Sequence, residues 1–254
     1  MIIFDLDGTL LTSSSIVSST TSNIIKYCKL NGYYIGYITA RSSSKKTLRL
    51  LDGLPCDFIS FYNGALIYAE KQLLESNTIP HHQALNILLK LNRDYQNITV
   101  EINQDPWIFS NISNEIYHRD SGERKECNFD NLANIDIQRI RLKSANLVSI
   151  PIENYITKEC IFYHTASGDV IIVHKRANKA HAAQKIANYF GIPATQIIAF
   201  GDDTCDIVLL NFVGTSVAMG NAIHELKKIS NYITETNDKD GVALWIKKYI
   251  IKKM

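Results

Sequence analysis

Apolar residues in this chain fall into short unbroken runs separated by amphipathic stretches, and their alternation predicts most of the elements. Ile2-Ile3-Phe4 runs directly into Asp5-Leu6-Asp7-Gly8-Thr9-Leu10, and a run of this kind marks a strand buried on both faces. A Ser- and Thr-rich segment, Ser13 to Thr21, leads into a capped helix with Ile24, Ile25, Cys28 and Lys29 in its body, which Asn31-Gly32 stops. Tyr33 to Ile38 reads as a second buried strand ending at Thr39-Ala40-Arg41. A helix from about Ser43 to Leu51 and a third strand from Asp57 to Tyr62 follow. This β-α-β-α-β order with short connections predicts a parallel sheet with right-handed crossovers.

The rhythm changes at Asn63-Gly64-Ala65. Ala65 to Ala69 and Gln72 to Glu75 suggest a hairpin around Glu70-Lys71, and Pro80 opens a new segment. From His81 to about Ser167 the pattern gives a helix (Gln83 to Tyr95) and strands at Ile98 to Ile102, Ile137 to Leu142 and Cys160 to His164. That mixed order predicts an inserted α+β domain. Val170 to His174 leads back to the β/α rhythm: a helix from Asn178 to Phe190 stopped by Gly191, then a strand from Gln196 to Phe200 ending in Gly201-Asp202-Asp203. A helix from Cys205 to Phe212, a strand from Thr215 to Met219, a helix from Ala222 to Ser230, a short strand at Tyr232-Ile233 and a closing helix from Val242 complete the chain.

Composition narrows the class without naming the chemistry. With 254 residues, 46% of them hydrophobic and 20% charged, the chain has the profile of a globular enzyme able to bury a substantial core. A formal charge of +2 gives no argument for nucleic acid, and Lys247, Lys248, Lys252 and Lys253 read as a solvated helix and tail. The five cysteines (Cys28, Cys56, Cys127, Cys160, Cys205) are odd in number and never in a CxxC arrangement, which fits a reducing compartment. No apolar run approaches the roughly 20 residues a membrane helix needs. A cytoplasmic protein is expected, with its oligomeric state open.

The polar residues that interrupt the pattern are concentrated at strand ends. Asp5 and Asp7 follow the first strand, Thr39 the second, and Asp202, Asp203 and Asp206 a later one, and in a parallel sheet such ends share one edge. Lys179 begins the helix before the acidic strand and can reach that edge. Two nearby carboxylates repel unless a cation or a proton intervenes, which suggests a hard divalent metal or an acid/base couple. These are the parts of a phosphoryl-transfer site. Asp5 serves as nucleophile and Asp7 as general acid/base. Mg²⁺ is expected on the Asp5 carboxylate, the Asp7 carbonyl and Asp202, with Asp206 orienting Asp202 or a metal-bound water. The Thr39 hydroxyl, nearby backbone N–H groups and the Lys179 ammonium serve as donors to the phosphoryl oxygens.

Each residue also has a plainer reading. Asp7-Gly8 can be an ordinary turn, Thr39 a helix cap and Lys179 a solvated helix residue. Arg41 can contact a substrate anion or pair with a structural acid. The histidines form no HExxH pattern, and neither GxGxxG nor GxxxxGK[ST] occurs, which argues against a dinucleotide or P-loop site.

Taken together, Asp5-Leu6-Asp7-Gly8-Thr9-Leu10-Leu11, Ile38-Thr39-Ala40-Arg41, Asn178-Lys179-Ala180 and Gly201-Asp202-Asp203-Thr204-Cys205-Asp206 resemble, in order, the four motifs of the haloacid dehalogenase-like (HAD) hydrolases. Specifically, they look like the Cof-type phosphatases with a C2B-like α/β cap. Asn63-Gly64-Ala65, Val217 to Ala222 and Asn237 to Ala243 resemble further stretches of that group. The resemblance implies a Rossmann-like parallel-sheet core (residues 1–78 and 173–254) with an inserted α+β cap (79–172) that closes the site and reads the leaving group. It also implies Mg²⁺ dependence and hydrolysis of small phosphoesters such as sugar phosphates, pyridoxal phosphate or flavin mononucleotide. On these motifs the catalytic residues are Asp5 and Asp7. Thr39, Ala40, Arg41, Lys179 and Cys205 are the phosphate- and substrate-binding positions, and Asp5, Asp7, Asp202 and Asp206 those for metal.

Three positions depart from the pattern. Ala40 and Ala180 stand where glycine is usual, and Cys205 stands where asparagine is usual, replacing an amide with a poor donor and soft ligand. Besides a phosphatase, a phosphometabolite-binding protein with little turnover and a sugar phosphomutase remain open at this stage.

Overall fold

The computed structural model describes residues 1–95, 99–104, 107–110, 123–126, 132, 134–143, 150–165 and 168–251. Cys127, Lys252, Lys253 and the first residue of the strand expected at Ile98 lie outside them. The chain divides into two compact units, one of residues 1–41, 48–75 and 178–254, the other of residues 42–47 and 76–177.

In chain order, the first part comprises β1 (Ile2–Phe4), α1 (Ser19–Leu30), β2 (Ile35–Ile38), α2 (Lys45–Arg49), β3 (Phe58–Phe61), β4 (Leu66–Ala69) and β5 (Gln72–Ser76). The middle carries α3 (His81–Asp94), β6 (Thr99–Gln104), β7 (Trp107–Ser110), β8 (Glu123–Glu126), β9 (Arg139–Lys143), β10 (Cys160–His164) and β11 (Val170–His174). The last part holds α4 (Lys179–Phe190), β12 (Ile198–Gly201), α5 (Ile207–Phe212), β13 (Thr215–Ala218), α6 (His224–Ile229), β14 (Tyr232–Ile233) and α7 (Gly241–Tyr249).

In the first unit the strands form a sheet of order β14-β13-β12-β1-β2-β3-β4-β5. The strands from β14 to β3 pair in parallel, and β4 turns back antiparallel on β3. The route from β1 to β2 and the route from β12 to β13 run in opposite directions across this sheet. Right-handed crossovers therefore place α1 and α5 on opposite faces, and α1 packs on α7 while α5 packs on α4 and α6. Ile2, Ile3, Phe4, Ile35, Ile38, Phe200 and Val217 fill the sheet's part of the core. Phe4 stacks on Phe200 at 5.4 Å between ring centroids, and Trp245 and Phe200 meet in a T-shaped contact at the same separation.

In the second unit six strands pair in the order β10-β11-β9-β6-β7-β8, antiparallel except for β7 with β8. Ala84, Ile87, Leu88 and Leu91 of α3 share a core with Val100, Ile102, Ile140, Leu142, Val170 and Ile172, the alternate residues of its central strands. The period-2 pattern of β9, Arg139-Ile140-Arg141-Leu142-Lys143, puts its aliphatic residues on the covered face.

Several elements are shorter than their hydrophobic runs. β2 starts at Ile35 because that residue's N–H donates to the Asp57 carboxylate at 2.8 Å. Tyr34 instead packs its ring on Phe190 at 4.4 Å. Gln196 closes a 3-10 turn, so β12 begins at Ile198. The helix expected from Cys205 opens as a 3-10 turn, Thr204–Asp206, before α5 begins at Ile207.

Candidate active site

β1 and β12 are adjacent parallel strands from which the chain leaves in opposite directions. That junction is the topological switch point of the sheet, where open α/β sheets form a crevice at the carboxyl ends of their strands. Asp5 follows β1 and Asp202 follows β12, and the Asp5 N–H donates to the Phe200 carbonyl at 3.2 Å. Strand order alone thus brings together carboxylates almost two hundred positions apart.

Lys179 completes the group from the first turn of α4. The Asn178 side chain caps that helix, accepting from the His181 N–H at 2.9 Å. The ammonium is fully buried and donates to Asp5 Oδ1 and to Asp206 Oδ1, each at 2.5 Å. Asp206 is also fully buried, and its Oδ2 accepts from the N–H groups of Asp202 and Asp203 at 3.0 and 3.1 Å. These bonds explain the tight Thr204–Asp206 turn: the Asp206 carboxylate reaches back to the start of its own turn while Asp203 caps it. Burial acts to lower the Lys179 ammonium, but Asp206 and Asp5 overcome it and hold the group well above its usual value. Burial pushes the Asp5 carboxyl well above its ordinary range, opposed by Lys179 and reinforced by Asp206 and Asp202. Among the described residues, Asp5 Oδ2 has no hydrogen-bond donor.

Asp202 is placed by the turn after β1. Thr9 Oγ1 donates to Asp202 Oδ1 at 2.8 Å. Gly8, at φ +73°, lies so close that a Cβ there would overlap the Asp202 carboxylate. The Asp202 carboxyl is pushed up to about 7, first by burial and then by Asp206, against the Thr9 hydrogen bond. Asp5, Asp202 and Asp206 each present an oxygen within 4.8 Å of the others. Among the described residues Lys179 is the only cation bonded to these three, so charge is left uncompensated, and an all-oxygen donor set suits a hard divalent cation.

On the other side of β1, the Arg41 guanidinium takes the exposed Asp7 carboxylate in a two-pronged ion pair, Nε and Nη2 each 2.6 Å from an oxygen. The acid that Arg41 meets in this structure is therefore Asp7. Thr39 is buried and its Oγ1 accepts from the Arg41 N–H at 3.1 Å. α2 begins only at Lys45, with the Ser44 hydroxyl accepting from Thr47 N–H, so Thr39 is not its cap. Ala40 lies half-buried between Thr39 and Arg41. The carbonyls of Thr39 and Arg41 accept from the N–H groups of Asn63 and Tyr62 at 2.8 and 3.0 Å. Tyr62, Asn63 and Gly64 all have positive φ, at 52°, 55° and 113°, and a Cβ on Gly64 would stand 2.6 Å from the Asn178 carbonyl oxygen. This left-handed turn therefore touches both the Thr39 loop and the cap of the Lys179 helix.

The Cys205 thiol is raised by burial above its ordinary value, with Lys179 opposing, so it stays protonated near neutrality. It does not belong to the acidic group of Asp5, Asp202 and Asp206.

The family model for haloacid dehalogenase-like hydrolases matches residues 2–246. The chain belongs to this family. Among its relatives, the Bacillus subtilis (strain 168) 5-amino-6-(5-phospho-D-ribitylamino)uracil phosphatase YitU is 30% identical over 267 residues, covering 98% of this chain and 97% of the relative. The phosphatase YwtE of the same organism, named for the same compound, is 29% identical over 281 residues, covering 96% of each chain. A haloacid dehalogenase-like hydrolase from Bacteroides thetaiotaomicron superposes with a TM-score of 0.85 at 24% identity, over 97% of this chain and 98% of that one. At that identity the superposition speaks for the fold, an α/β fold with a central parallel sheet.

Reading the family motifs as lists of catalytic side chains passes over two residues that set this haloacid dehalogenase-like site. Thr9 and Gly8 are part of the first motif, yet neither carries an obvious reactive role. The available signal was the dipeptide itself, a glycine followed by a hydroxyl two residues beyond a carboxylate.

Proposed function

We propose that the protein is a Mg²⁺-dependent phosphatase of a small phosphorylated metabolite, working through an aspartyl-phosphate on Asp5. The observation that carries this reading is the buried Asp5–Lys179–Asp206 chain beside Asp202 at the switch point. Among the described residues it leaves Asp5 Oδ2 without a donor while Lys179 holds Oδ1.

Asp5 Oδ2 attacks phosphorus, forming a P–O bond to the aspartate as the ester P–O bond breaks, and Asp7 gives its proton to the departing oxygen. Asp7 then takes a proton from water as that water attacks phosphorus, releasing inorganic phosphate and restoring Asp5. The Lys179 ammonium and the Thr39 hydroxyl donate to the phosphoryl oxygens, and Arg41 orients Asp7. The Asp5 and Asp202 carboxylates and the Asp7 carbonyl would hold Mg²⁺, with Asp206 fixing the Asp202 backbone. When bound, the cation offsets the repulsion between these carboxylates and a phosphate dianion.

The names of the two Bacillus relatives support a phosphorylated small molecule as substrate. Residues 1–78 and 173–254 act as the catalytic core and 79–172 as a cap that selects the leaving group. The free thiols of Cys28, Cys56, Cys160 and Cys205 support a cytoplasmic location, and no described helix is long and apolar enough to cross a membrane.

The test is a phosphate-release screen over phosphometabolites with and without Mg²⁺, run beside Asp5→Asn. Release that needs Mg²⁺ and disappears in the variant is expected. Equal release by Asp5→Asn overturns the nucleophile, and no release from any substrate by the unaltered protein overturns the phosphatase.

A further inference from the structure

The turn that carries Asp7 is built around one carbonyl. The N–H groups of Thr9, Leu10 and Leu11 all point to the Leu6 oxygen, at 3.4, 3.0 and 2.8 Å, and Asp7 bridges to Leu11. Two asparagines from distant loops bond further carbonyls of this turn. Asn221, just past β13, donates from Nδ2 to the Gly8 carbonyl at 2.8 Å. Asn237, in the 3-10 turn past β14, donates from Nδ2 to the Leu11 carbonyl at 2.8 Å. The two are joined, the Asn237 N–H donating to Asn221 Oδ1 at 3.1 Å.

The anchorage of this pair reaches further into the site. The Ile223 N–H donates to the Asp202 carbonyl at 2.9 Å, so the Asn221 loop also holds the backbone of Asp202. Asp238 accepts from the Ser13 N–H at 2.7 Å, and the Asp240 carboxylate accepts from the hydroxyls of Ser18 and Thr21. The loops after β13 and β14 thus grip the whole segment between Asp7 and α1.

We infer that Asn221 and Asn237 are positioning residues for the acid/base step, clamping the Gly8–Leu11 turn so that Asp7 is presented in one orientation. The inference rests on the reading of Asp7 as general acid and goes beyond it by naming what holds that acid. A carboxamide is needed at both positions. Asn221 must donate with one end and accept with the other, and an aspartate of the same shape would set a carboxylate oxygen against a carbonyl oxygen. Asn221→Asp and Asn237→Asp are therefore near-isosteric tests.

The experiment compares kcat/KM for an alkyl phosphate, whose alkoxide must be protonated to leave, with that for p-nitrophenyl phosphate, whose phenolate leaves unaided. Both constants report phosphorylation of Asp5. Each variant is expected to lose about tenfold or more on the alkyl phosphate and less than about threefold on the aryl phosphate, with its melting temperature little changed. Equal losses on both substrates, or none, overturn the inference. Asp7→Asn run alongside separates the two failures, because an acid role gives it the same leaving-group bias in stronger form. If Asp7→Asn lacks that bias, or the unaltered protein releases no phosphate, it is the mechanistic reading that fails. The clamp is then judged by amide hydrogen exchange of Thr9, Leu10 and Leu11: faster exchange in both asparagine variants supports it, and unchanged exchange overturns it.

Discussion

Gly8 and Asp202 occupy touching positions on two strand ends, and the space for the Asp202 carboxylate exists only because Gly8 has no side chain. The contact couples the turn after β1 to the end of β12. Gly8→Ala adds a methyl group into that carboxylate at a φ of +73°. It is expected to cost about 1–3 kcal/mol of stability and to weaken Mg²⁺ binding more than tenfold, on the order of the loss of one ligand. Urea unfolding and calorimetric titration read the two effects separately, and unimpaired Mg²⁺ binding would contradict the assigned place of Asp202.

Lys179 is the counter-ion for two buried carboxylates. Lys179→Met keeps the stem but leaves Asp5 and Asp206 without their shared cation, which is expected to destabilise the protein by about 3–5 kcal/mol. Turnover should fall to background if, as proposed, the ammonium is also a donor to the phosphoryl group. A variant that keeps its unfolding midpoint would show that the two acids do not depend on this lysine.

The Asp202 carboxyl, raised to about 7 in the metal-free protein, sets a pH dependence with a definite sign. Between the unfolded value of about 3.9 and about 7, the folded protein binds a proton that the unfolded chain has released. Metal-free stability contributed by this group therefore falls as pH rises through that window and is level above it. Mg²⁺ competes with the same proton, so its affinity is expected to rise up to about pH 7 and then flatten. Calorimetric titrations across the window check this, and Asp202→Asn should flatten the slope.

Cys205 places a protonated thiol in the turn between Asp202 and Asp206. Cys205→Asn is expected to leave Mg²⁺ affinity unchanged or improved, since a protonated thiol is a poor partner for a hard cation. A large loss of both metal binding and turnover in this variant would make the thiol a working part of the site.

The β/α order, the parallel sheet and the gathering of acids at strand ends were legible in the residues themselves, because buried parallel strands are read directly from unbroken apolar runs. Ile2-Ile3-Phe4 ending in Asp5 and Ile198-Ala199-Phe200 ending before Asp202 illustrate this. Element ends were less legible. They can be set by a single hydrogen bond, such as Ile35 N–H to Asp57, and local propensity does not record a bond to a distant side chain.

What the sequence by itself determined is the inventory: which acids, which lysine, which hydroxyl, and the edge of the sheet on which strand order must gather them. What only the tertiary structure decided is pairing. Arg41 is on Asp7, Thr9 is on Asp202, Lys179 lies between Asp5 and Asp206, and Asn221 joins Asn237 across the turn. The physical reason is one of range. Burial and periodicity act on neighbours along the chain, whereas each of these bonds joins residues at least sixteen positions apart, and only the fold sets which donors and acceptors meet.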